Sequence, residues 1–181
     1  GFSMKTLCSI LGTIVGVVIA GVFASVFGAM SNINGFNVVD IEILIYIGQN
    51  SKLDISGLLF SGILIASLGA VIDTAMSIAT TIEEIKYRRP DISAKELLKS
   101  GIKIGGDMMG TMSNTLILAF TGGSLSTLVV FYAYDMSFLQ MFNSYSIGIE
   151  IIQGISGSLG VILTVPFVSI ISAFLMTRKK M

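Results

Sequence analysis

Four long apolar stretches limit what this chain can fold into more than any other feature of its sequence. A helix needs about twenty apolar residues to cross a hydrocarbon core of about 30 Å. Hydrophobic residues make up 53% of the 181 positions and charged residues 12%, an apolar excess too large for a soluble domain to bury. The sequence therefore predicts an all-α polytopic membrane bundle in one domain, 1–181, surrounded by a lipid bilayer. Its four predicted spans are Leu7 to Met30, Gly57 to about Ile82, about Met108 to Tyr134, and Ile147 to Met176.

Two shorter segments complete the predicted fold. The stretch 37–48 is apolar but too short to span, so we expect an interfacial or re-entrant helix there. Ser93 and Glu96 have the spacing of a capping box, which predicts a helix start. We expect a short cytoplasmic helix from this cap through Lys99, with Ser100-Gly101 as its stop.

The basic residues indicate the orientation of the spans, because Lys and Arg near span ends are retained in the cytoplasm. If the chain crosses the membrane four times, every Lys and Arg near a span end falls on one side of the membrane except Lys52. Both termini and the 83–106 loop are therefore predicted to be cytoplasmic. The residues on the common side are Lys5, Lys86, Arg88, Arg89, Lys95, Lys99, Lys103, Arg178, Lys179 and Lys180.

The beginning of the chain favours a membrane span over a cleaved signal. Lys5 precedes an apolar run, as in a secretory signal, but the run is too long and no convincing cleavage site follows it. The chain starts with Gly1 rather than with methionine. We therefore expect it to be the C-terminal part of a longer protein, with further spans upstream.

Several classes of function are disfavoured by composition. The formal net charge is zero, which gives no basis for a nucleic-acid partner. The chain has no His and a single Cys, Cys8, so we expect neither a metal site nor a cofactor. An enzyme is not expected, because no two carboxylates stand at a recognisable catalytic spacing; Asp73 and Asp107 are predicted to lie at different depths.

Asp73 is the first candidate for a functional residue, because it lies well inside the second predicted span. An ionisable side chain in a bilayer costs several kcal/mol on insertion scales, so it usually faces a cavity or a partner. Helical steps of three and four place Asp73 on a face of small and polar residues, which we expect to face inward. That face consists of Gly62, Ala66, Gly69, Asp73, Ser77, Thr80 and Glu84.

The third and fourth spans contain further polar residues. Asp107 stands near the cytoplasmic end of the third span, and Asn114 with Thr115 lies deeper, where neutral donors can tune a neighbouring carboxylate. Glu150 begins the fourth span. We therefore predict a proton or ion relay of Asp73, Asp107, Asn114, Thr115 and Glu150. Four glycines, Gly62, Gly69, Gly154 and Gly157, are predicted to be helix-packing positions.

The polar residues have a second interpretation, in which they only hold helices together. Gly, Ser and Thr are common in helix contacts inside membranes, and their interhelical hydrogen bonds average about 0.6 kcal/mol. On the first interpretation the chain is a cation- or proton-coupled transporter or transport motor module. On the second it is a non-transporting accessory or scaffold subunit of a permease complex.

Long stretches of the sequence resemble the YibE/F-like bacterial membrane proteins. The resemblance covers essentially the whole chain and rests on KTL at 5–7, ILGT at 10–13, GAVIDTAMSIA at 69–79, GGDMMGTMSNTLILA at 105–119 and GGS at 122–124. That family has Arg where this chain has Gly106, so a cationic partner for Asp107 is in doubt at that position. The resemblance implies the bacterial cytoplasmic membrane and says little about activity, since the group is known chiefly as predicted membrane proteins.

A more distant resemblance concerns mechanism. An Asp in a Gly- and Ala-rich span, a cytoplasmic loop, and then Asn-Thr in the next span resemble the transmembrane core of SecD/SecF and of resistance-nodulation-division transporters. In those proteins an intramembrane Asp takes up and releases protons. The resemblance implies that Asp73 matches this Asp and that Asn114 and Thr115 match the polar pair opposite it. Because half of such a core needs its other half, it also implies a homologous membrane partner or a homodimer.

Overall fold

The computed structural model describes residues 4–33 and 55–178, and within them every regular element is a helix. The stretch 37–48, predicted to be an interfacial or re-entrant helix, lies outside the described residues. The helices are α1 (Met4–Met30), α2 (Ile55–Arg88), α3 (Ala94–Gly123), α4 (Leu125–Ala133), α5 (Phe138–Phe142) and α6 (Tyr145–Arg178).

Three of the described helices are long and apolar enough to cross a membrane, namely Met4–Met30, Gly57–Arg88 and Tyr145–Thr177. A fourth span is possible if α3 and α4 cross together, since they are joined at Ser124 with a bend of 42°. The predicted all-α membrane bundle is confirmed. The third predicted span differs from the others because it is this bent pair rather than one straight helix.

Helix α6 is at the centre of the bundle and packs against α1, α2 and α3. Small residues allow close approach: a Cβ at Gly157 would lie 2.7 Å from Leu116 Cδ2, and one at Gly160 would lie 2.8 Å from Ala20 Cβ. Contacts of this kind are the main way in which helices associate inside a membrane. Pro166 also lies within α6, in a helix whose neighbours can compensate for the lost hydrogen bond.

The prediction for the start of α3 is confirmed, and the prediction for its end is wrong. Ser93 Oγ accepts from the Glu96 backbone N–H, and the Glu96 side chain accepts from the Ser93 N–H, which is the predicted capping box. The helix does not stop at Ser100-Gly101 but continues to Gly123. Gly101 is buried, and a Cβ there would lie 2.7 Å from Ile82 Cδ1. This glycine therefore provides room for α2 rather than a helix end.

The described basic residues gather at one end of the bundle, which we call the basic end. There Lys5 Nζ of α1 lies 3.5 Å from Glu83 Oε2 of α2. The α2–α3 connection lies at the same end, where Arg88 pairs with Glu84 at 2.6 Å. This arrangement agrees with the predicted clustering of positive charge, while the assignment of that end to the cytoplasm stays a prediction.

Candidate functional site

Asp73 lies on the outer surface of the α2–α3 helix pair rather than inside the bundle. It is exposed, as are Gly62, Ala66, Gly69 and Thr80 on the same helical face. The prediction of one continuous small and polar face therefore corresponds to a real surface of α2. The expectation that this face points inward within the chain is wrong for the described bundle, because the apolar residues Val71, Ala75 and Ile78 occupy the buried side instead.

The depth of Asp73 follows from contacts between neighbouring helices. A Cβ at Gly105 of α3 would lie 3.1 Å from Ile78 Cδ1, and one at Gly157 would touch both Leu116 of α3 and Ser67 of α2. Asp73 lies between these two levels, about level with Gly110 of α3, at a helical rise of about 1.5 Å per residue. It is therefore about 15 Å along α2 from Glu83 and about 10 Å in level from the exposed Lys103 of α3, inside a hydrocarbon core of about 30 Å that ends at these charges.

Helix α3 contributes a second polar stripe at the same depth. Asp107, Gly110, Thr111 and Asn114 are all exposed and follow one another at helical spacing. Asp107 lies about one turn from the level of Asp73 toward the basic end, and Asn114 about one turn in the other direction. The two stripes belong to helices that contact each other, and we use the name outer polar face for both exposed stripes.

The outer polar face has no close neighbour among the described residues. A Cβ at Gly62, Gly69, Gly106 or Gly110 would have no described atom within 4 Å. Gly62 and Gly69 therefore stay predicted packing positions, for a surface that the described bundle leaves uncovered. The Gly106 position is open and carries no charge.

Thr115 and Glu150, the other two predicted relay residues, are not part of the outer polar face. The Thr115 side chain is exposed, and its hydroxyl donates to the Thr111 carbonyl at 2.9 Å, so its hydrogen bond is made within α3. Glu150 is half-buried at the opposite end of the bundle from the basic end, beside Ser124. The five predicted relay residues are thus divided: Asp73, Asp107 and Asn114 are exposed at neighbouring depths on α2 and α3, Thr115 bonds within α3, and Glu150 lies in a different region.

Gly154 and Gly157, the other two predicted packing positions, are buried in α6. A Cβ at Gly157 would be too close to Leu116, whereas one at Gly154 would lie 3.7 Å from Phe120 Cδ2, an ordinary contact. Of these two glycines of α6, only Gly157 needs to be glycine for α3 and α6 to approach each other. No cluster of three or more His, Cys, Asp or Glu side chains that could hold a metal occurs in the part of the chain that the structure describes.

Sequence reasoning missed a set of hydroxyl groups in the core. Ser156, Ser158, Ser169 and Ser172 of α6 are buried, and their Oγ atoms have no hydrogen-bond partner among the described residues. Thr164, in contrast, bonds the Gly160 carbonyl at 2.6 Å. The signal in the sequence is the recurrence of Ser158, Ser169 and Ser172 on one face of α6, with Ser156 on the opposite side of this central helix.

The comparisons with known proteins agree with the membrane fold and identify a family. No curated protein and no solved structure matches the chain, so the likeness to the SecD/SecF and resistance-nodulation-division cores stays a prediction. A sequence profile described as YibE/F-like protein matches residues 1–178. Since the match covers nearly every residue of a chain whose described part is a bundle of apolar helices, this protein belongs to the YibE/F-like family.

Proposed function

We propose that this protein is a proton- or cation-coupled transporter, or a motor module of one, in which Asp73 takes up and releases the coupling ion. The observation that carries the proposal is the outer polar face, where Asp73 is exposed within an apolar span and Asp107 and Asn114 are exposed at neighbouring depths on the adjacent helix. A carboxylate facing lipid alone at this depth would cost several kcal/mol. The face is therefore expected to meet water or another protein in the membrane.

The small residues around Asp73 favour a cavity that can open and close. Gly62, Ala66 and Gly69 on α2 and Gly110 on α3 leave room above and beside the carboxylate. A partner helix can approach such a surface closely, and a small shift of that helix would change how much water reaches Asp73. The ionisation of Asp73 would in turn favour one position of the partner, which is the coupling that a transporter needs.

The partner that we propose is a homologous membrane protein or a second copy of this chain, in the bacterial cytoplasmic membrane with both termini in the cytoplasm. The basic end carries Lys86, Arg88, Arg89 and Lys95 around the α2–α3 connection, which supports this orientation by the positive-inside rule. In the proposed assembly Asp107 lines the route between the basic end and Asp73, and Asn114 lies beyond Asp73, about one turn farther from the basic end.

The test is proton flux into liposomes that contain the purified full chain and an internal pH-sensitive dye, driven by an imposed membrane potential. Asp73→Asn is expected to lower the flux by about tenfold or more, because the amide cannot exchange a proton in this pH range. Asp73→Glu keeps the carboxyl group and should retain flux. Asp91→Asn is the matched control, since Asp91 is exposed in the connection before α3.

A second candidate is the accessory or scaffold subunit, favoured by the glycines at Gly62 and Gly69, which suit a helix contact with or without ion coupling. On that account wild-type flux equals that of empty liposomes, or Asp73→Asn leaves the flux unchanged. Either result, with the protein folded and monodisperse, would contradict the transporter proposal.

A further inference from the structure

A cavity of about 370 Å³ lies at the end of the bundle opposite the basic end. The end of α3, the short helices α4 and α5, and the first turns of α6 line this half-open cavity. Its lining is mostly apolar and includes Ile117, Phe120, Leu128, Phe142 and Ile151. Its volume falls in the range of about 300–1,000 Å³ that is typical of small-molecule sites. The cavity is separate from the outer polar face that contains Asp73.

Glu150 is the one ionisable side chain among the described residues that line this cavity. It is half-buried and lies beside the Ser124 hydroxyl at the bend between α3 and α4. That hydroxyl in turn donates to the Phe120 carbonyl at 2.9 Å. The one proton of that hydroxyl is therefore used within α3, and the Glu150 carboxylate lies in an apolar site as one of the few polar groups that could give a ligand its orientation.

No Lys or Arg side chain among the described residues forms a salt bridge with Glu150. The salt bridges in the described residues are those of Lys5 with Glu83 and of Arg88 with Glu84, both at the basic end. The sequence contains neither Lys nor Arg between Lys103 and Arg178. A carboxylate in apolar surroundings gains most from a ligand that brings the missing positive charge and fills the remaining space with apolar groups.

We propose that this cavity binds an organic cation, a single ammonium or phosphonium centre on an apolar body, with Glu150 as its counter-ion. The apolar body would be buried at roughly 25 cal/mol per Å² of surface removed from water, and Phe120 and Phe142 offer aromatic faces to the cation. The same chemistry occurs in a free lipophilic cation and in a lipid with an ammonium headgroup. The site does not depend on Asp73 or on whether the chain transports an ion.

The first experiment measures binding of tetraphenylphosphonium to the full chain in nanodiscs of phosphatidylglycerol, a lipid without an ammonium group. Glu150→Gln is expected to weaken binding by about tenfold or more, as for the loss of a charge-assisted contact. Glu150→Asp keeps the charge and should bind more tightly than Glu150→Gln. Asp135→Asn is the matched control, because it removes an exposed carboxylate that does not line the cavity.

Two outcomes would overturn the proposal: equal binding by Glu150→Gln and the wild type, or equal binding of the neutral analogue triphenylphosphine oxide. All variants are first checked for the wild-type elution volume and thermal unfolding, and the comparison of tetraphenylphosphonium with triphenylphosphine oxide on the wild type provides the test if Glu150→Gln does not fold. Lys52 lies outside the described residues, so Lys52→Gln is measured as well. Binding about tenfold tighter in that variant would also overturn the proposal, because the chain's own cation would then fill the cavity.

The second experiment distinguishes the two sources of the ligand. Nanodiscs that also contain phosphatidylethanolamine are compared with those of phosphatidylglycerol alone. If the lipid ammonium group occupies the site, it competes, and the apparent affinity for tetraphenylphosphonium falls in the wild type but not in Glu150→Gln. If the apparent affinity for tetraphenylphosphonium is the same in both lipid mixtures, the site prefers the free cation. Binding by Glu150→Gln must still be weaker than binding by the wild type.

Discussion

Small residues at helical spacing occur in two regions of this molecule with opposite surroundings. On the inner side, Gly157 and Gly160 of α6 are buried, and a Cβ at either would lie within 3 Å of a neighbouring helix. On the outer polar face, Gly69 and Gly110 have no described atom within 4 Å of the position a Cβ would take. The pattern of small residues therefore indicates a surface made for close approach but does not identify what approaches it.

The polar groups in the two regions differ in the same way. The inner region has neutral hydroxyl groups, such as those of Ser156 and Ser169, which cost less to bury than a charge does. The outer polar face has the carboxylates of Asp73 and Asp107, which cannot face lipid at low cost. This difference is the reason for assigning structure to the inner region and function to the outer one.

Among substitutions that test this difference between the inner and outer glycines, Gly157→Leu is expected to have the largest effect on stability. The new side chain would collide with Leu116 of α3, since even a Cβ would lie 2.7 Å from its Cδ2. We expect destabilisation of about 1–3 kcal/mol or more, as in other overpacked sites. Unfolding in mixed micelles, as a denaturing detergent is added, measures the change; a variant as stable as the wild type would contradict the described α3–α6 contact.

A smaller effect on folding is expected from the matched substitution Gly69→Leu. Nothing described lies in the way of the new side chain, so the stability of the single chain should change by no more than about 0.5 kcal/mol. Association should weaken by about tenfold, because a bulky group now separates the two membrane partners. Light scattering coupled to gel filtration measures association, and the same micelle titration measures folding.

The comparison would fail if Gly69→Leu destabilised the chain as much as Gly157→Leu does. The outer glycine would then be an internal contact. It would also fail if association were unchanged, because the outer polar face would then have no partner at that position.

Much of the fold could be predicted from the sequence, because span length, basic clusters and the Ser93–Glu96 cap depend on local chemistry. The end of α3 could not be predicted in this way. Ser100-Gly101 has the composition of a helix stop, but burial against Ile82 gave the glycine another role. The bend at Ser124 was also missed, since Gly122 and Gly123 have the same composition in a bent helix as in a straight one.

The candidate site was predicted in part for a similar reason. Helical periodicity correctly grouped Asp73 with Gly69 and Thr80, because residues three and four apart share a face whatever surrounds the helix. Periodicity does not say which face the rest of the chain covers, and that depends on the contacts of α6. Glu150 was grouped with the same relay on residue type alone, whereas its position beside Ser124 places it in the apolar cavity at the other end.

The measurement that tests the central claim most directly is the water accessibility of the outer polar face at the depth of Asp73. Gly110→Cys introduces a thiol at that level without a collision. Ile14→Cys is the control, since Ile14 is 55% exposed on α1. It lies at the same depth, because neighbouring Gly16 faces Val71 of α2. Both are made in a Cys8→Ala background and treated in membranes with a charged, impermeant thiol reagent, which reacts with the thiolate in water.

If the outer polar face meets water, as proton coupling at Asp73 requires, Gly110→Cys will react about tenfold faster than Ile14→Cys or more, in line with the cost of forming a thiolate in hydrocarbon. Equal and slow labelling of the two thiols would mean that Asp73 lies on a dry surface, and it would contradict the proposed coupling.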